Sequence, residues 1–113
     1  MDAEILEEKI DALTGVNFSL PSEVEVVMDD LASYLIKGLK IKSKKLKWKT
    51  PSLFDVIEIL VEEEKLPKET LDVGFEIQYL LKQVYGDELD EDDRGELKEF
   101  VRELQKILRD KLV

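Results

Sequence analysis

Apolar side chains recur three and four positions apart in five separate stretches of the chain. This spacing places them on one face of a helix, and the stretches are separated by short links. The predicted helices cover approximately residues 2–14, 22–37, 51–65, 68–85 and 90–112. The pattern therefore predicts an all-α, single-domain bundle of about five amphipathic helices that spans residues 1–113.

Residues with known preferences for helix ends suggest where the second helix begins and ends and where the third begins. Ser22 and Glu25 have the spacing of a capping box at the start of the second helix. Gly38 is the expected residue just after that helix, because glycine inside a helix costs about 1 kcal/mol relative to alanine. Thr50 and Pro51 are expected as the N-cap and the first residue of the third helix.

The fourth helix has two apolar stripes that its sequence alone does not separate. Leu71, Phe75 and Leu80 fall at helical spacing, and either Tyr79 or Ile77 completes the buried face. Phe75 and Tyr79 are one helical turn apart and give the helix an aromatic side. The same aromatic side of the helix, with Tyr85, is also our candidate dimer face.

Positive charge is concentrated in residues 37–49, KGLKIKSKKLKWK, which we call the lysine strip. The strip carries +7, which leaves −17 on the other 100 residues of a chain whose formal net charge is −10. The acidic run DELDEDD occupies residues 87–93. Such a body repels polyanions over the ~8–10 Å screening length, so nucleic acid is a disfavoured partner.

The lysine strip is nevertheless the best candidate binding site, and three interpretations of it stay open. Lysines beside an aromatic ring suit single-stranded nucleic acid. They equally suit an acidic protein surface, which could belong to a second copy of the chain. They also suit a solvated loop whose apolar residues cap the bundle. The candidate residues are Lys40, Lys42, Lys44, Lys45, Lys47, Trp48 and Lys49.

Composition argues against many enzyme classes. The chain has no cysteine and no histidine, which are the usual thiol nucleophile, the commonest general base and the commonest transition-metal ligands. It also has no phosphate-binding glycine loop and no nucleophile elbow. We therefore predict no catalytic residue, no cofactor and no metal site. An enzyme subunit that uses only carboxylates, lysines or tyrosines is the weakest alternative.

The chain begins with an acidic amphipathic segment and has no apolar run of 18 residues. We therefore expect a cytoplasmic protein without a membrane partner. Its many lysines and glutamates and its scarcity of asparagine resemble the composition of proteins from hot environments.

The acidic run invites comparison with a calcium-binding EF-hand loop. A loop that starts at Asp90 places Asp92 at its third position and Gly95 at its sixth, as required. However, Arg94 and Val101 occupy the fifth and twelfth positions, where calcium ligands are needed. We therefore interpret Asp90 as the N-cap of the last helix.

Three segments resemble the HEPN superfamily of small helical bundles: TPSLFDVIEILVEEEKLPKETL, a helix that ends in IQYLLKQVYG, and ELDEDDRGELKEFVRELQKIL. The resemblance covers about residues 22–108 in helix order, loop placement and apolar framework. It implies a helical bundle that dimerises through the face bearing the fourth helix. It also implies a partner protein in a defence, toxin–antitoxin or nucleotidyltransferase setting.

The family's nuclease motif is an arginine, often followed by a polar residue, with a histidine four to six positions later. Members with this motif cleave RNA across the dimer interface. In this chain Leu80 and Leu81 stand at the arginine end of the motif and Tyr85 stands in place of the histidine. The resemblance therefore implies a member without the nuclease chemistry.

These observations favour a non-catalytic interaction or adaptor module that forms a homodimer and acts with a protein partner. The candidate dimer face consists of Phe75, Tyr79 and Tyr85. The alternative is an RNA- or DNA-binding accessory protein that uses the lysine strip.

Overall fold

Five α-helices contain most of the residues that the structure, a computed structural model, describes: residues 2–41, 52–82 and 89–113. The helices are α1 (Ala3–Asp11), α2 (Pro21–Gly38), α3 (Leu53–Glu62), α4 (Glu69–Lys82) and α5 (Glu91–Leu112), and a 3₁₀ turn (Ala12–Thr14) follows α1. The described ranges contain no β-strand. The predicted all-α class is confirmed.

The helices close into a bundle around one cluster of buried apolar side chains. Helix α4 packs against both α5 and α3, α3 packs against α2, and α1 contacts α2 and α5. Each helix contributes fully or almost fully buried side chains to the cluster; examples are Leu6, Leu31, Leu60, Ile77 and Leu104. No helix in the described ranges has the length and apolar character needed to cross a membrane.

The start of α2 differs from the prediction. Leu20 is the N-cap in an extended conformation, Pro21 is the first helical residue, and no side chain caps the helix. The expected capping box of Ser22 and Glu25 is therefore wrong. Proline suits this first position because it lacks an N–H that would otherwise be unsatisfied, and its fixed φ matches the helix. Ser22 consequently lies inside the first turn.

The end of α2 also differs, because Gly38 is its last residue and not the residue after it. The left-handed residue is Lys40, with a φ of 53°. The N–H of Ile41 donates to the carbonyl of Ile36 at 3.0 Å, and that of Lys40 donates to Lys37 at 3.4 Å. These bonds form a Schellman motif, in which Ile41 turns back and packs partly against the core.

Helix α3 begins at Leu53, two residues after the predicted Pro51 start. Ser52 is the N-cap, and its backbone N–H donates to Asp55 Oδ2 at 2.9 Å while the Asp55 N–H donates to Ser52 Oγ at 3.3 Å. This reciprocal capping box satisfies two N–H groups at the helix end, which explains why it determines the start. Residues 50 and 51 lie outside the described ranges.

Helix α3, like α2, is followed by a residue in the left-handed conformation. The helix ends at Glu62, three residues before the predicted end, and Glu64 is left-handed with a φ of 60°. The N–H of Lys65 then donates to the Leu60 carbonyl at 2.8 Å. The turn lets Leu66 return to the core, where it is buried.

Helix α5 begins as the sequence predicts. Asp90 is its N-cap, and Asp90 Oδ1 accepts a hydrogen bond from the Asp93 N–H at 2.8 Å. The acidic residues of the first turn and the basic residues of the last turn complement the helix dipole.

Candidate interaction surface

The structure describes only one of the lysine-strip candidates. Lys40 is exposed and holds the left-handed position after α2. The remaining candidates lie outside the described residues: Lys42, Lys44, Lys45, Lys47, Trp48 and Lys49. Binding by the strip therefore stays a prediction.

Two of the three candidate dimer-face residues lie together on the surface of α4. Phe75 and Tyr79 are one helical turn apart, and 65% and 60% of their surfaces are exposed. Tyr85 lies outside the described residues. Ile77 is fully buried, so it, and not Tyr79, belongs to the core. Phe75, which the apolar pattern grouped with Leu80, faces outward instead.

Phe75 is exposed because the opposite side of α4 packs against the neighbouring helices. Val73, Ile77 and Leu80 point into the core, where α4 contacts α3 and α5. A residue two positions from a buried one lies about 200° around the helix, so Phe75 must face away from that core. The exposed aromatic side is thus a consequence of which stripe is packed.

A groove runs between α3 and α4 beside Phe75. Its volume is about 170 Å³, and its apolar wall includes Phe54, Leu71, Gly74 and Phe75. Gln78 contributes a polar amide to the same groove. The apolar surface of Phe75 is therefore continuous with a concave patch on the neighbouring helix.

Gly74 allows the two helices to approach closely at the groove. A Cβ atom at this position would lie 3.3 Å from Cδ1 of Phe54, closer than most such contacts. The ring of Phe54 can consequently lie against the backbone of α4. The absence of a side chain at Gly74 thus shapes the groove wall next to Phe75.

Charged residues surround this apolar surface. Asp55 lines the groove, but its carboxylate already accepts the hydrogen bond from the Ser52 backbone. Asp72, Glu76 and Lys82 are exposed on α4. The aromatic pair therefore has acidic residues on its N-terminal side and between its members, and a lysine on its C-terminal side.

The described residues also bear on the calcium hypothesis for the acidic run. Asp90 caps α5, and Asp92 lies in the first turn of that helix instead of in a loop. In the described ranges no three acidic side chains are grouped so that they could hold a metal ion. The geometry at this end of α5 is that of a helix N-terminus.

No protein-family model, curated protein or solved structure matches this chain. The resemblance to the HEPN superfamily consequently rests on the sequence segments alone.

Sequence reasoning identified the aromatic pair but missed the charged residues that accompany it. Asp72, Phe75, Tyr79 and Lys82 are separated by three, four and three positions, which is readable from the sequence once the helix is assumed. What the sequence did not reveal is that this stripe, and not the one through Ile77, faces outward.

Proposed function

We propose that this chain is a non-catalytic helical interaction module that forms a homodimer through the exposed side of α4. The observation that carries the proposal is the exposure of Phe75 and Tyr79 one turn apart, next to an apolar groove. Single exposed apolar residues are common on proteins, whereas contiguous apolar patches mark interaction surfaces. Aromatic residues are also enriched at the centres of such surfaces.

The size of the patch predicts a weak dimer. With about 200 Å² per aromatic side chain, the exposed fractions leave roughly 250 Å² on each chain. Burying this area on both chains contributes about 12 kcal/mol at ~25 cal/mol per Å², whereas association costs about 4–15 kcal/mol. The difference is at most about 8 kcal/mol, so association is no tighter than micromolar and the dimer must be sought at high concentration.

The adaptor role rests on charge and on the resemblance. The exposed Lys37 and Lys40 begin the lysine strip, whose lysines would complement an acidic surface on a protein partner. The HEPN resemblance suggests a defence, toxin–antitoxin or nucleotidyltransferase setting for that partner. The lack of histidine and cysteine supports a role in binding rather than in catalysis.

Sedimentation equilibrium tests the dimer. The protein concentration should run from about 10 μM to 1 mM, because this range suits weak association. The wild-type mass should rise from 13.1 kDa towards twice that value. The double variant Phe75→Ser, Tyr79→Ser should remain monomeric. Val26→Ser is the matched control, because Val26 on α2 is 68% exposed and lies outside the patch.

A wild-type protein that stays at the mass of one chain over this range would refute the proposal. Equal dimerisation of the wild type and the double variant would place the interface elsewhere and refute the role of α4. Circular dichroism of each variant checks that the helices are intact.

A further inference from the structure

Four exposed residues of α4 form a single stripe: Asp72, Phe75, Tyr79 and Lys82. Their separations of three, four and three residues are those of the a and d positions along a coiled-coil seam. The stripe therefore has the spacing of a surface that packs against another helix. It is unusual because its outer members carry opposite charges and its inner members are aromatic.

The two charged residues at the ends of the stripe have no side-chain partner in the described part of the chain. Ion pairs found there join Lys9 to Asp30, Lys65 to Glu63 and Arg109 to Asp11. Asp72 and Lys82 make neither an ion pair nor a side-chain hydrogen bond with a described residue. Both charges are thus available to a partner helix.

The order of the residues makes the stripe complementary to itself in one orientation. Ile77 lies midway between Phe75 and Tyr79, and also midway between Asp72 and Lys82. When two copies of α4 run antiparallel about a two-fold axis at the level of Ile77, each aromatic residue faces the other aromatic residue of the second copy. Each Asp72 then faces Lys82 of the second copy.

A parallel pair would have the opposite electrostatics. Asp72 of one chain would face Asp72 of the other, and Lys82 would face Lys82. Like charges would therefore lie together at both ends of the seam. Like charges that face each other across an interface are unfavourable and act against that arrangement. The charges of the stripe consequently select the antiparallel orientation.

We propose that the second copy binds by antiparallel α4–α4 pairing, with Phe75 against Tyr79 and Asp72 against Lys82. This proposal rests on the proposed homodimer and specifies its register. Helix axes about 8–10 Å apart bring the aromatic rings into contact. The two-fold symmetry forms each contact twice, giving two aromatic contacts and two ion pairs, and it closes the assembly at two chains.

Cysteine cross-linking tests the register directly, because the chain has no cysteine of its own. Asp72→Cys chains are mixed with Lys82→Cys chains and oxidised gently. The antiparallel register predicts a disulfide between the two kinds of chain, identified by mass. It predicts little linkage within either kind alone, because each position would lie about 15 Å along the axis from its own copy, beyond disulfide reach.

The control is Val26→Cys. When it is mixed with Asp72→Cys or with Lys82→Cys chains, it should form a disulfide with neither. Preferential self-linking of Asp72→Cys, or no linking in a protein that sedimentation shows to be dimeric, would overturn the register while leaving the dimer intact. A wild type that is monomeric at every concentration would overturn the dimer and the register together. The two failures are therefore distinguishable.

Charge reversal gives an independent test by the same sedimentation measurement. Asp72→Lys or Lys82→Asp alone should weaken dimerisation about tenfold, because each creates two like-charge contacts. The double variant Asp72→Lys, Lys82→Asp restores opposite charges and should dimerise as the wild type does. If the double variant is as weak as the single variants, the pairing of these two residues is refuted.

Discussion

Gln105 on α5 donates a hydrogen bond from Nε2 to the backbone carbonyl of Ile10 at the end of α1, at 2.9 Å. The same amide nitrogen lies 3.3 Å from Thr14 Oγ1. Gln105 is almost fully buried among the apolar residues of α5. One buried amide therefore ties the first helical segment of the chain to the last.

Replacing Gln105 by leucine should lower the free energy of unfolding by about 1–3 kcal/mol, because it leaves the Ile10 carbonyl without its side-chain partner. Thr14→Val should also lower the free energy of unfolding, because it removes the longer bond made by Gln105 and the bond from the Thr14 hydroxyl to the Asp11 carbonyl. Urea denaturation measures the free energy of unfolding of both variants. Equal stability of Gln105→Leu and the wild type would contradict the role of this bond.

The capping box of α3 predicts a difference between two serine substitutions. Ser52→Ala should destabilise the protein by about 1 kcal/mol, since it removes the oxygen that accepts the Asp55 N–H. Ser22→Ala should be neutral or slightly stabilising, because Ser22 lies inside α2 and caps nothing. Urea denaturation of the two variants measures their free energies of unfolding. A larger loss of stability for Ser22→Ala than for Ser52→Ala would contradict the assigned helix starts.

The left-handed conformation of Glu64 predicts a stabilising glycine substitution. Glycine adopts this conformation without the steric cost that a side chain incurs. Glu64→Gly should therefore raise the free energy of unfolding by about 0.5–1 kcal/mol, even after the larger entropy of the unfolded glycine chain is included. Glu58→Gly, in the exposed interior of α3, should instead lower it by about 1 kcal/mol. The same sign for both variants would refute the assigned turn.

Thr70 in the first turn of α4 is fully buried, and its hydroxyl oxygen has no hydrogen-bond partner among the described residues. Thr70→Val replaces this hydroxyl by a methyl group of similar shape and should stabilise the protein by about 1 kcal/mol. The melting temperature would then rise by about 4 °C for a domain of this size. Thr14→Val is the control of opposite sign, because the Thr14 hydroxyl donates to the Asp11 carbonyl at 3.0 Å. A lower melting temperature for Thr70→Val would contradict the prediction.

Salt distinguishes self-association from nucleic-acid binding. Raising the salt concentration from about 10 to 100 mM shortens the screening length from about 30 to 10 Å, which weakens repulsion between whole chains more than it weakens ion pairs in contact. Dimerisation of a chain with a net charge of −10 should therefore strengthen. Binding of RNA or DNA by the lysine strip would weaken steeply instead.

We expect no binding of single- or double-stranded RNA or DNA in a mobility-shift assay at the lower salt concentration, because the rest of the chain is strongly acidic. Tight binding that is lost when Lys44, Lys45 and Lys47 are changed to glutamine would favour the nucleic-acid alternative.

The sequence by itself determined the fold class and the positions of the five helices, because helical periodicity and short links are local properties of the chain. It also determined the start of α5, where Asp90 is followed by acidic residues that suit the first turn of a helix. Helices α2 and α5 each have one dominant apolar stripe, and residues of that stripe such as Met28, Leu31, Val101 and Leu104 are buried.

Only the tertiary structure decided features for which the sequence offered two similar local solutions. At the start of α3, Thr50 and Ser52 are both good N-caps, and the reciprocal bonds with Asp55 select Ser52. At the ends of α2 and α3, Lys40 and Glu64 take a conformation that glycine would favour, because the returning chain buries apolar residues that follow. The choice between Ile77 and Tyr79 was likewise made by packing: α3 and α5 cover one side of α4, and the aromatic stripe that remains exposed is the candidate interaction surface.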